Sequence, residues 1–501
     1  MQKDAGVDYI PSNEFSFYDG MLDLTMLLNA VPKCYKALGI SEIDTYFAMA
    51  RGYQGEKGDV QALAMKKWFN TNYHYIVPEL FDETKIRLTG NKPFTEYEEA
   101  KLYGIETKPV IIGPVTFLKL AIYHGTKTAK DFAEDLIDAY IAVFHNMNKL
   151  GVSWLQLDEP ILVTDLSQED IVLFTSIYQK LLAHKGKIKV LLQTYFGDVR
   201  DCYKELVQLN FDGIGLDFLE GKMNAELIKI NGFPKDKVLF AGIVNGKNIW
   251  KCDYKKALHL INQIHMATDN IVISTSCSLL HVPYTLENEK KLSKDTFQYF
   301  TFAKEKLYEL KELCQLAQKT DYEVDEKYIN NQSVFATVRV QANKEVQYIV
   351  NNLKEEDFNR IPDRKSREQI QKDSLKLPLF PTTTIGSFPQ TLEVKQNRTK
   401  YKKGEITKVE YDAKIKSFIN DCIALQEELG LDVLVHGEYE RNDMVEFFGE
   451  NLEGYVFTEK AWVQSYGTRC VKPPIIFGDI RRSKPITVSY TEYANSLTKN
   501  R

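Results

Sequence analysis

Two short segments carry the residues best suited to bind a small charged molecule. The first, PTTTIGSFPQT at 381–391, is a threonine-rich strand pattern that Gly386 and Pro389 interrupt. A turn at Gly386 lets successive backbone N–H groups and the Ser387 hydroxyl point at one carboxylate. Glu438, at the end of the second segment LDVLVHGE, supplies the opposite charge for an ammonium group. Together they predict a site for an α-amino acid, with ordinary loop geometry as the alternative.

Other candidate residues lie at the ends of apolar runs in the first half of the chain. Asp158 and Glu159, in WLQLDEP, are the residue types of a general acid/base pair. Adjacent residues on a strand point to opposite faces, so only one reaches a site, and structural hydrogen bonding is the favoured interpretation. Cys277 and His281 suit a metal or a nucleophile–base pair. Two ligands without companions do not make a zinc site, however, and a core cysteine is the favoured interpretation.

The segment AMKKWFNTNYHY places two adjacent lysines beside two aromatic residues. Lys66 and Lys67 most often form a solvated face, but a lysine next to Trp68 and Phe69 can hold an anionic tail against a flat ring. Both interpretations remain open from the residues alone.

The candidate residues of the first half lie in a repeating pattern of short apolar runs and amphipathic helical segments. This pattern indicates a parallel sheet covered by helices, with a site at the carboxyl ends of its strands. We expect a β/α barrel over residues 1–340 with its first strand missing and one strand position vacant or filled irregularly. The predicted strands, one fewer than a full barrel has, are 73–79, 109–116, 154–160, 190–197, 213–221, 238–246 and 271–278.

The second half has a different organisation. Residues 341–376 are charged and helical and are predicted to link two domains. The second domain, 377–501, is predicted to contain the strands TTTIGSF and LDVLVHGE, a helix over 409–429 and the segment GTRCVKPPIIFGDI. These elements are too few to close a core, so we expect an incomplete second barrel.

The composition excludes several classes of protein. With 44% hydrophobic and 27% charged residues, the chain is typical of a soluble globular protein. Its 64 basic and 69 acidic residues are mixed along the chain, without the basic stripe of a nucleic-acid binder. It has no membrane-span or signal-peptide pattern, and seven scattered cysteines without a CxxC pair are typical of reduced thiols. We therefore expect a cytoplasmic protein without nucleic-acid or membrane partners.

Longer motifs resemble a known family. The segments LPLFPTTTIGSFPQT, LGLDVLVHGEYERNDMVEFFGE and WVQSYGTRCVKPPIIFGDI are similar to the core of the cobalamin-independent methionine synthase family. The first domain resembles the same family through KWFNTNYHYIVPE, KPVIIGPVTFLKL, WLQLDEPIL, VLFAGIVNGKNIW and STSCSLLH. The resemblance covers essentially the whole chain.

The resemblance implies an α/β fold of two (β/α)8 barrels of the TIM type, here with the first nearly complete and the second truncated after its first strands. It also implies a monomer that transfers a methyl group from 5-methyltetrahydrofolate polyglutamate to homocysteine, giving methionine. Carried over residue by residue, the implied contacts are Ile385, Ser387 and Glu438 for the homocysteine or methionine moiety, and Lys67, Arg469 and Cys470 for the folate.

The sequence departs from the family pattern in its zinc site. In the family, zinc is bound by a His-x-Cys pair, a Glu and a further Cys. The resemblance implies that these ligands, and the histidine that donates a proton, lie beyond residue 501. No His-x-Cys occurs in this sequence, and the family's basic folate-binding segment precedes Met1. Zinc holds the homocysteine thiol as thiolate, and an acid protonates the amine leaving group. We therefore expect a chain truncated at both ends, without metal ligands or a catalytic residue, and inactive alone.

Two alternative functions remain at this point. One is a non-catalytic fragment that binds folate or an amino acid. The other is a different barrel enzyme, a carboxylate-based hydrolase that uses Glu159.

Overall fold

The computed structural model describes residues 1–337 and 342–499, which divide into two compact units. The first unit comprises Met1–Thr337 and Glu459–Lys472. The second contains the described residues of Val338–Thr458 and Pro473–Arg501. In the described part of the chain, no helix has both the length and the apolar character needed to cross a membrane.

The first unit is built on a parallel sheet of seven strands, in the spatial order Pro11–Ser12, Lys108–Ile112, Trp154–Asp158, Lys189–Gln193, Gly213–Asp217, Val238–Val244 and Ile271–Thr275. Its longer strands are nearly continuous apolar runs, as expected for a sheet buried on both faces. The strands that begin before residue 300 are β1 (Pro11–Ser12), β2 (Tyr53–Gly55), β3 (Gly58–Val60), β4 (Met65–Lys67), β5 (His74–Ile76), β6 (Glu79–Phe81), β7 (Lys108–Ile112), β8 (Ile122–His124), β9 (Trp154–Asp158), β10 (Lys189–Gln193), β11 (Gly213–Asp217), β12 (Val238–Val244) and β13 (Ile271–Thr275).

The sheet curls so that its two edge strands face the same interior space. Pro11 of β1 and Ile271–Thr275 of β13 line one cavity of about 920 Å³. In the register of the sheet, Asp158 pairs with Ile112 on one side and with Gln193 on the other. The carboxyl ends of these three strands therefore meet at one edge of the sheet.

Six of the seven predicted strands are confirmed, and the seventh is wrong. The run 73–79 does not enter the main sheet: β5 pairs antiparallel with β4, and β6 pairs parallel with β8. The seventh strand is Pro11–Ser12, which pairs with Lys108 and Pro109. A strand of two residues is too short to show a periodic pattern, so the sequence could not predict Pro11–Ser12. The apolar residues of 73–79 are buried because they pack against helices and aromatic side chains, not because they belong to the main sheet.

Helices cover the sheet, and their ends follow local capping rules. The longest, Ala129–Leu150, begins where the Asp131 carboxylate accepts the Thr128 backbone N–H at 2.8 Å, and ends at Gly151 in a left-handed conformation. The helices of this unit are α1 (Gly20–Leu27), α2 (Lys33–Lys36), α3 (Glu42–Arg51), α4 (Lys92–Leu102), α5 (Pro114–Leu120), α6 (Ala129–Leu150), α7 (Gln168–Leu182), α8 (Tyr203–Gln208), α9 (Asn224–Asn231), α10 (Tyr254–His265), α11 (Lys294–Phe297), α12 (Ala303–Ala317) and α13 (Glu326–Phe335).

A late segment of the chain, Glu459–Lys472, completes the first unit. The buried Glu289 carboxylate accepts the backbone N–H groups of Glu459 at 2.6 Å and of Lys460 at 2.7 Å. In return, the Glu459 carboxylate accepts the N–H groups of Lys290 at 3.0 Å and Lys291 at 3.1 Å. We call this reciprocal arrangement the Glu289–Glu459 clasp. It assigns to the first unit a segment that the sequence placed in the second domain.

The second unit is mainly helical where it is described. Its core contains Val394, Tyr411, Ile415 and Ile419, which pack between helices. Its helices are α14 (Lys344–Asn351), α15 (Arg364–Leu375), α16 (Leu392–Lys402), α17 (Lys408–Glu428), α18 (Met444–Glu450) and α19 (Val488–Leu497), and α17 confirms the helix predicted at 409–429. The late strands of the chain are β14 (Glu453–Val456) and β17 (Ile475–Arg481) in this unit, with β15 (Val463–Tyr466) and β16 (Arg469–Val471) in the first.

The strands predicted at TTTIGSF and LDVLVHGE are wrong as regular strands. The two segments lie side by side, but only one isolated parallel bridge, Ser387 to Gly437, forms between them. Threonine side chains make part of the pairing instead: the Thr382 hydroxyl donates to the Asp432 carboxylate at 2.8 Å and the Thr383 hydroxyl to the Val433 carbonyl at 3.0 Å. Side-chain bonds of this kind compete with a backbone ladder.

Candidate functional site

The paired segments 382–388 and 432–438 bring the predicted amino-acid-binding residues together. At one end, the Asp432 and Val433 N–H groups both donate to the Thr382 carbonyl at 3.1 Å. At the other end, the Phe388 N–H donates to the Gly437 carbonyl at 3.0 Å, beside the Ser387–Gly437 bridge. Glu438 follows directly, so a hydroxyl and a carboxylate lie on adjacent segments.

Local backbone geometry places the Glu438 carboxylate over Gly386. Glu438 has φ +58° and Gly386 has φ +124°, a conformation that side chains rarely adopt. A Cβ atom at Gly386 would lie 2.8 Å from Glu438 Oε1. The glycine is therefore required both for its conformation and for the room that the carboxylate occupies.

Glu438 belongs to a network of charged side chains that includes Arg441, Glu440 and His436. Arg441 Nη2 lies 2.8 Å from Glu438 Oε1, and Arg441 Nε lies 3.3 Å from Glu440 Oε1. His436 Nε2 lies 3.1 Å from the same Glu440 oxygen. Although burial alone would raise it, the pKa of Glu440 is lowered by its bond to His436 and by Arg441. Arg441 was not among the predicted site residues, because its contact with Glu438 depends on the left-handed backbone conformation of Glu438.

The third predicted amino-acid contact, Ile385, is 96% exposed, and Ser387 is also exposed. The roles of Ile385, Ser387 and Glu438 remain predictions.

The predicted folate contacts all lie in the first unit. Lys67 is exposed on β4, directly opposite His74 of β5. His74 in turn contacts the β15–β16 hairpin: its Nδ1 lies 3.3 Å from the Ser465 carbonyl oxygen, and its ring lies 5.8 Å from that of Tyr466. Arg469 Nη1 donates to the Tyr466 hydroxyl at 3.0 Å.

Lys67 is thus the cross-strand neighbour of His74, and Arg469 contacts Tyr466, whose ring lies beside that of His74. The Arg469 guanidinium lies 5.6 Å from the centre of the Tyr466 ring, within cation–π range. Cys470, the next residue, is exposed on β16. The arrangement suits an anionic, extended ligand, and the three folate assignments remain predictions.

Of the two adjacent carboxylates at the end of β9, Glu159 is structural. It is fully buried; its Oε1 accepts the Val115 N–H at 2.9 Å and the Tyr178 hydroxyl at 2.6 Å, and its Oε2 accepts the Thr116 N–H at 2.7 Å. A Cβ atom at Gly113 would lie 2.2 Å from Glu159 Oε1. The favoured interpretation of Glu159 as a hydrogen-bonded structural residue is confirmed, which leaves a hydrolase built on it without a reachable carboxylate.

Cys277 and His281 lack the character of a metal or nucleophile site. Burial raises the pKa of the Cys277 thiol and lowers the pKa of His281 to about 4, so the first is held as thiol and the second as neutral imidazole. Across residues 1–337 and 342–499, no group of three or more His, Cys, Asp and Glu is arranged to hold a metal ion. The zinc implied by the family resemblance therefore does not fit the residues that the structure describes.

Fold and site together define an α/β protein with a curled parallel sheet in its first unit and a hydroxyl–carboxylate pair in its second. A family model described as "Cobalamin-independent synthase, N-terminal domain" matches residues 1–269. A second, "Cobalamin-independent synthase, Catalytic domain", matches residues 380–501. The chain belongs to the cobalamin-independent methionine synthase family.

Individual relatives extend this similarity over almost all of the chain. The "5-methyltetrahydropteroyltriglutamate--homocysteine methyltransferase" of Campylobacter jejuni subsp. doylei is 54% identical over 497 residues, 99% of this chain and 66% of that protein. The protein of the same name from Lactococcus lactis subsp. cremoris is also 54% identical over 497 residues, 99% of this chain and 65% of that protein. The chain thus spans just under two thirds of the length of these curated relatives.

Among solved structures, a B12-independent methionine synthase from Shewanella sp. W3-18-1 in complex with selenomethionine is 14% identical. The match covers 67% of this chain and 86% of that chain, with a TM-score of 0.43.

Proposed function

We propose that the protein functions in methyl transfer from 5-methyltetrahydropteroyltriglutamate to homocysteine, giving methionine. The two relatives described above carry both substrates in their names. The observation that carries the proposal is the Ser387–Gly437 bridge, because it sets a hydroxyl beside a carboxylate at the ends of two parallel segments. The proposed setting is a monomer in the cytoplasm.

In this proposal the second unit binds the amino-acid end of homocysteine. The Ser387 hydroxyl and the Ser387 backbone N–H bind the carboxylate, while Glu438 binds the ammonium group. Charge-assisted hydrogen bonds of this kind are the stronger ones, and they distinguish an α-amino acid from a simple thiol. Ile385 contacts the aliphatic part of the ligand.

The first unit binds the folate in this proposal. Lys67 and Arg469 bind glutamate carboxylates of the polyglutamate tail, and Cys470 contacts the same ligand. The Tyr466 ring and hydroxyl contact the Arg469 guanidinium, and these contacts favour the orientation that the proposal needs. No step is assigned to a metal, because the described residues do not provide a fitting site.

The test is an assay of the purified chain with homocysteine, 5-methyltetrahydropteroyltriglutamate and added zinc, in which methionine is measured by mass spectrometry and each ligand is titrated separately. Methionine formation that depends on Glu438 supports the full reaction and contradicts the prediction that the chain is inactive alone. Binding of both ligands without methionine supports the alternative of a non-catalytic binding protein. Absence of homocysteine binding refutes the assignment of the second-unit site.

A further inference from the structure

A second cavity in the first unit lies at the carboxyl ends of β7 and β9, apart from every residue assigned above to folate or homocysteine. Its volume is about 120 Å³, which is room for a small ligand. Aromatic side chains form one wall, and the strand ends form another. The residues used in the argument are Trp68, Tyr73, Tyr75, Asp158, Tyr195 and His281.

A chain of polar side chains crosses the sheet and ends in this cavity. Lys108 Nζ donates to Gln156 Oε1, and Gln156 Nε2 donates to Asp158 Oδ1 at 2.7 Å. The Tyr195 hydroxyl donates to Asp158 Oδ2 at 3.2 Å. Asp158 is thereby held in one orientation, with its partly buried carboxylate on the cavity wall. Asp158 and Tyr195 line both this cavity and the larger cavity of the sheet, whereas Lys108 lines only the larger one.

Most of the acidic and basic side chains that line the cavity are carboxyl groups. Its carboxylates are Glu14, Asp23 and Asp158, against one lysine, Lys92. The Lys92 ammonium is already bound, at 3.2 Å from Asp23 and 2.9 Å from Glu96. Asp23 is thus neutralised. Neither Glu14 nor Asp158 has an ion-pair partner within 4 Å in the described residues, but burial raises the pKa of both carboxyl groups, that of Asp158 to about 7, and the Lys108 charge acts against this shift. A cation in the cavity would favour the ionised form of Asp158 in the same way.

His281 also lines the cavity. Its ring packs edge-on against Tyr73 at 6.2 Å and Phe196 at 5.5 Å. In residues 1–337 and 342–499 it has no hydrogen-bond partner, and its imidazole is neutral near pH 7 because burial and Lys247 lower its pKa to about 4. A neutral imidazole offers a hydrogen bond to a ligand without adding positive charge.

We propose that this cavity is a binding site for a small organic ammonium ion. Asp158 provides the counter-charge, Trp68, Tyr73 and Tyr195 provide ring faces and edges around the cation, and His281 provides a hydrogen bond to a hydroxyl or amine of the ligand. Aromatic rings beside a carboxylate favour a cation over a neutral molecule of the same shape. This inference does not rest on the proposed methyl transfer.

The test titrates the purified full chain with choline chloride in an isothermal titration calorimeter. A titration with sodium chloride serves as the blank. The matched probe is dimethylbutanol, the uncharged carbon isostere of choline. We expect saturable binding of choline with one site per chain and about ten-fold weaker binding of the isostere. Equal affinities for the two probes, or no saturable binding of choline, would overturn the proposal without any variant being needed.

Variants then locate the site. Asp158→Asn keeps the shape and removes the charge, and we expect it to weaken choline binding about ten-fold. Asp165→Asn, on the exposed loop after β9, is the control and leaves the affinity unchanged. Far-UV circular dichroism establishes that both variants are folded. Wild-type affinity in a folded Asp158→Asn protein would place choline elsewhere and overturn the assignment.

Discussion

The Arg441 guanidinium lies 2.8 Å from the Glu438 carboxylate, with both side chains partly buried. Arginine thereby fixes the orientation of a glutamate whose backbone already has an unusual, left-handed conformation. Only Oε1 is engaged by this pair, so Oε2 is the oxygen that we assign to the substrate ammonium group. This geometry makes Glu438 a pre-organised anion rather than a mobile surface residue.

Removing the Glu438 charge should weaken homocysteine binding more than it weakens folding. Glu438→Gln retains an oxygen for Arg441 and keeps the shape of the side chain. We expect an affinity loss of about ten-fold, measured by calorimetry, with a change in the free energy of unfolding below about 1 kcal/mol. The control is Glu428→Gln, an exposed glutamate at the end of α17. Equal homocysteine affinities of the two variants would refute the ammonium assignment.

The folate assignment predicts a dependence on the length of the glutamate tail. Lys67→Gln and Arg469→Gln should each weaken binding of the triglutamate by about three- to ten-fold and weaken binding of the monoglutamate less. The difference should shrink as salt rises, because exposed charges are screened.

A matched control lies next to Lys67. Lys66 is exposed on the same short strand, but adjacent residues of a strand project to opposite faces. Lys66→Gln should therefore leave triglutamate binding unchanged. If Lys66→Gln and Lys67→Gln weaken triglutamate binding equally, the loss reflects the net charge of this surface, and a specific contact of Lys67 with the ligand is not supported.

Glu159 should prove essential to stability. Glu159→Gln replaces an acceptor with a donor that faces N–H and hydroxyl donors in a fully buried position. We expect the free energy of unfolding of the first unit to fall by about 2–4 kcal/mol in urea titrations. The control, Glu98→Gln on the exposed face of α4, should change it by less than about 0.5 kcal/mol. A mild effect at Glu159 would mean that the site relaxes to accept the amide.

Asp19 makes the stability of the first unit depend on pH. It is fully buried at the start of α1, and burial raises its pKa to about 7, although its oxygens accept the Leu22 and Ile76 N–H groups at 2.9 Å. A folded-state pKa above the unfolded one means that the folded state holds the proton more tightly. This contribution to stability is full below about pH 4 and is lost as pH rises through about 7.

The measurement compares the free energy of unfolding at about pH 5 and about pH 8. The wild-type protein should lose more stability across this interval than Asp19→Asn, which has no proton to release, whatever the absolute stability of the variant. Asp135→Asn, on an exposed part of α6, should behave as the wild type. Parallel curves for wild type and Asp19→Asn would show that Asp19 does not titrate in this range.

Much of the first unit could be predicted from the sequence, because a buried parallel strand is written as a continuous apolar run. Six strands follow this rule. Pro11–Ser12 does not, since a strand of two residues is defined by its partner, Lys108–Pro109, rather than by its own composition. The opposite error at 73–79 arose because an apolar run reports burial and not the sheet in which the residues pair.

The sequence indicated the candidate residues Ser387 and Glu438 but not the residues that hold them in place. Ser387 and Glu438 stood out because a glycine turn and a carboxylate follow extended segments. The role of Arg441 could not be read from spacing, because its contact with Glu438 depends on the left-handed backbone at Glu438. The placement of Arg469 in the first unit likewise depends on the clasp, a contact between residues far apart in the chain.

The Glu289–Glu459 clasp joins residues that are 170 positions apart in the chain, so it forms only after Glu459 has been synthesised. Domains generally fold as their residues leave the ribosome, N-terminal first. The hairpin that packs on Tyr18 and His74, however, emerges only after more than a hundred further residues have followed Thr337. Until then Tyr18 and His74 lack the Tyr466 ring that they contact in the folded protein. The β15–β16 hairpin therefore joins the first unit by long-range loop closure. The unit reaches its final packing only after this hairpin has been synthesised, and not when Met1–Thr337 is complete.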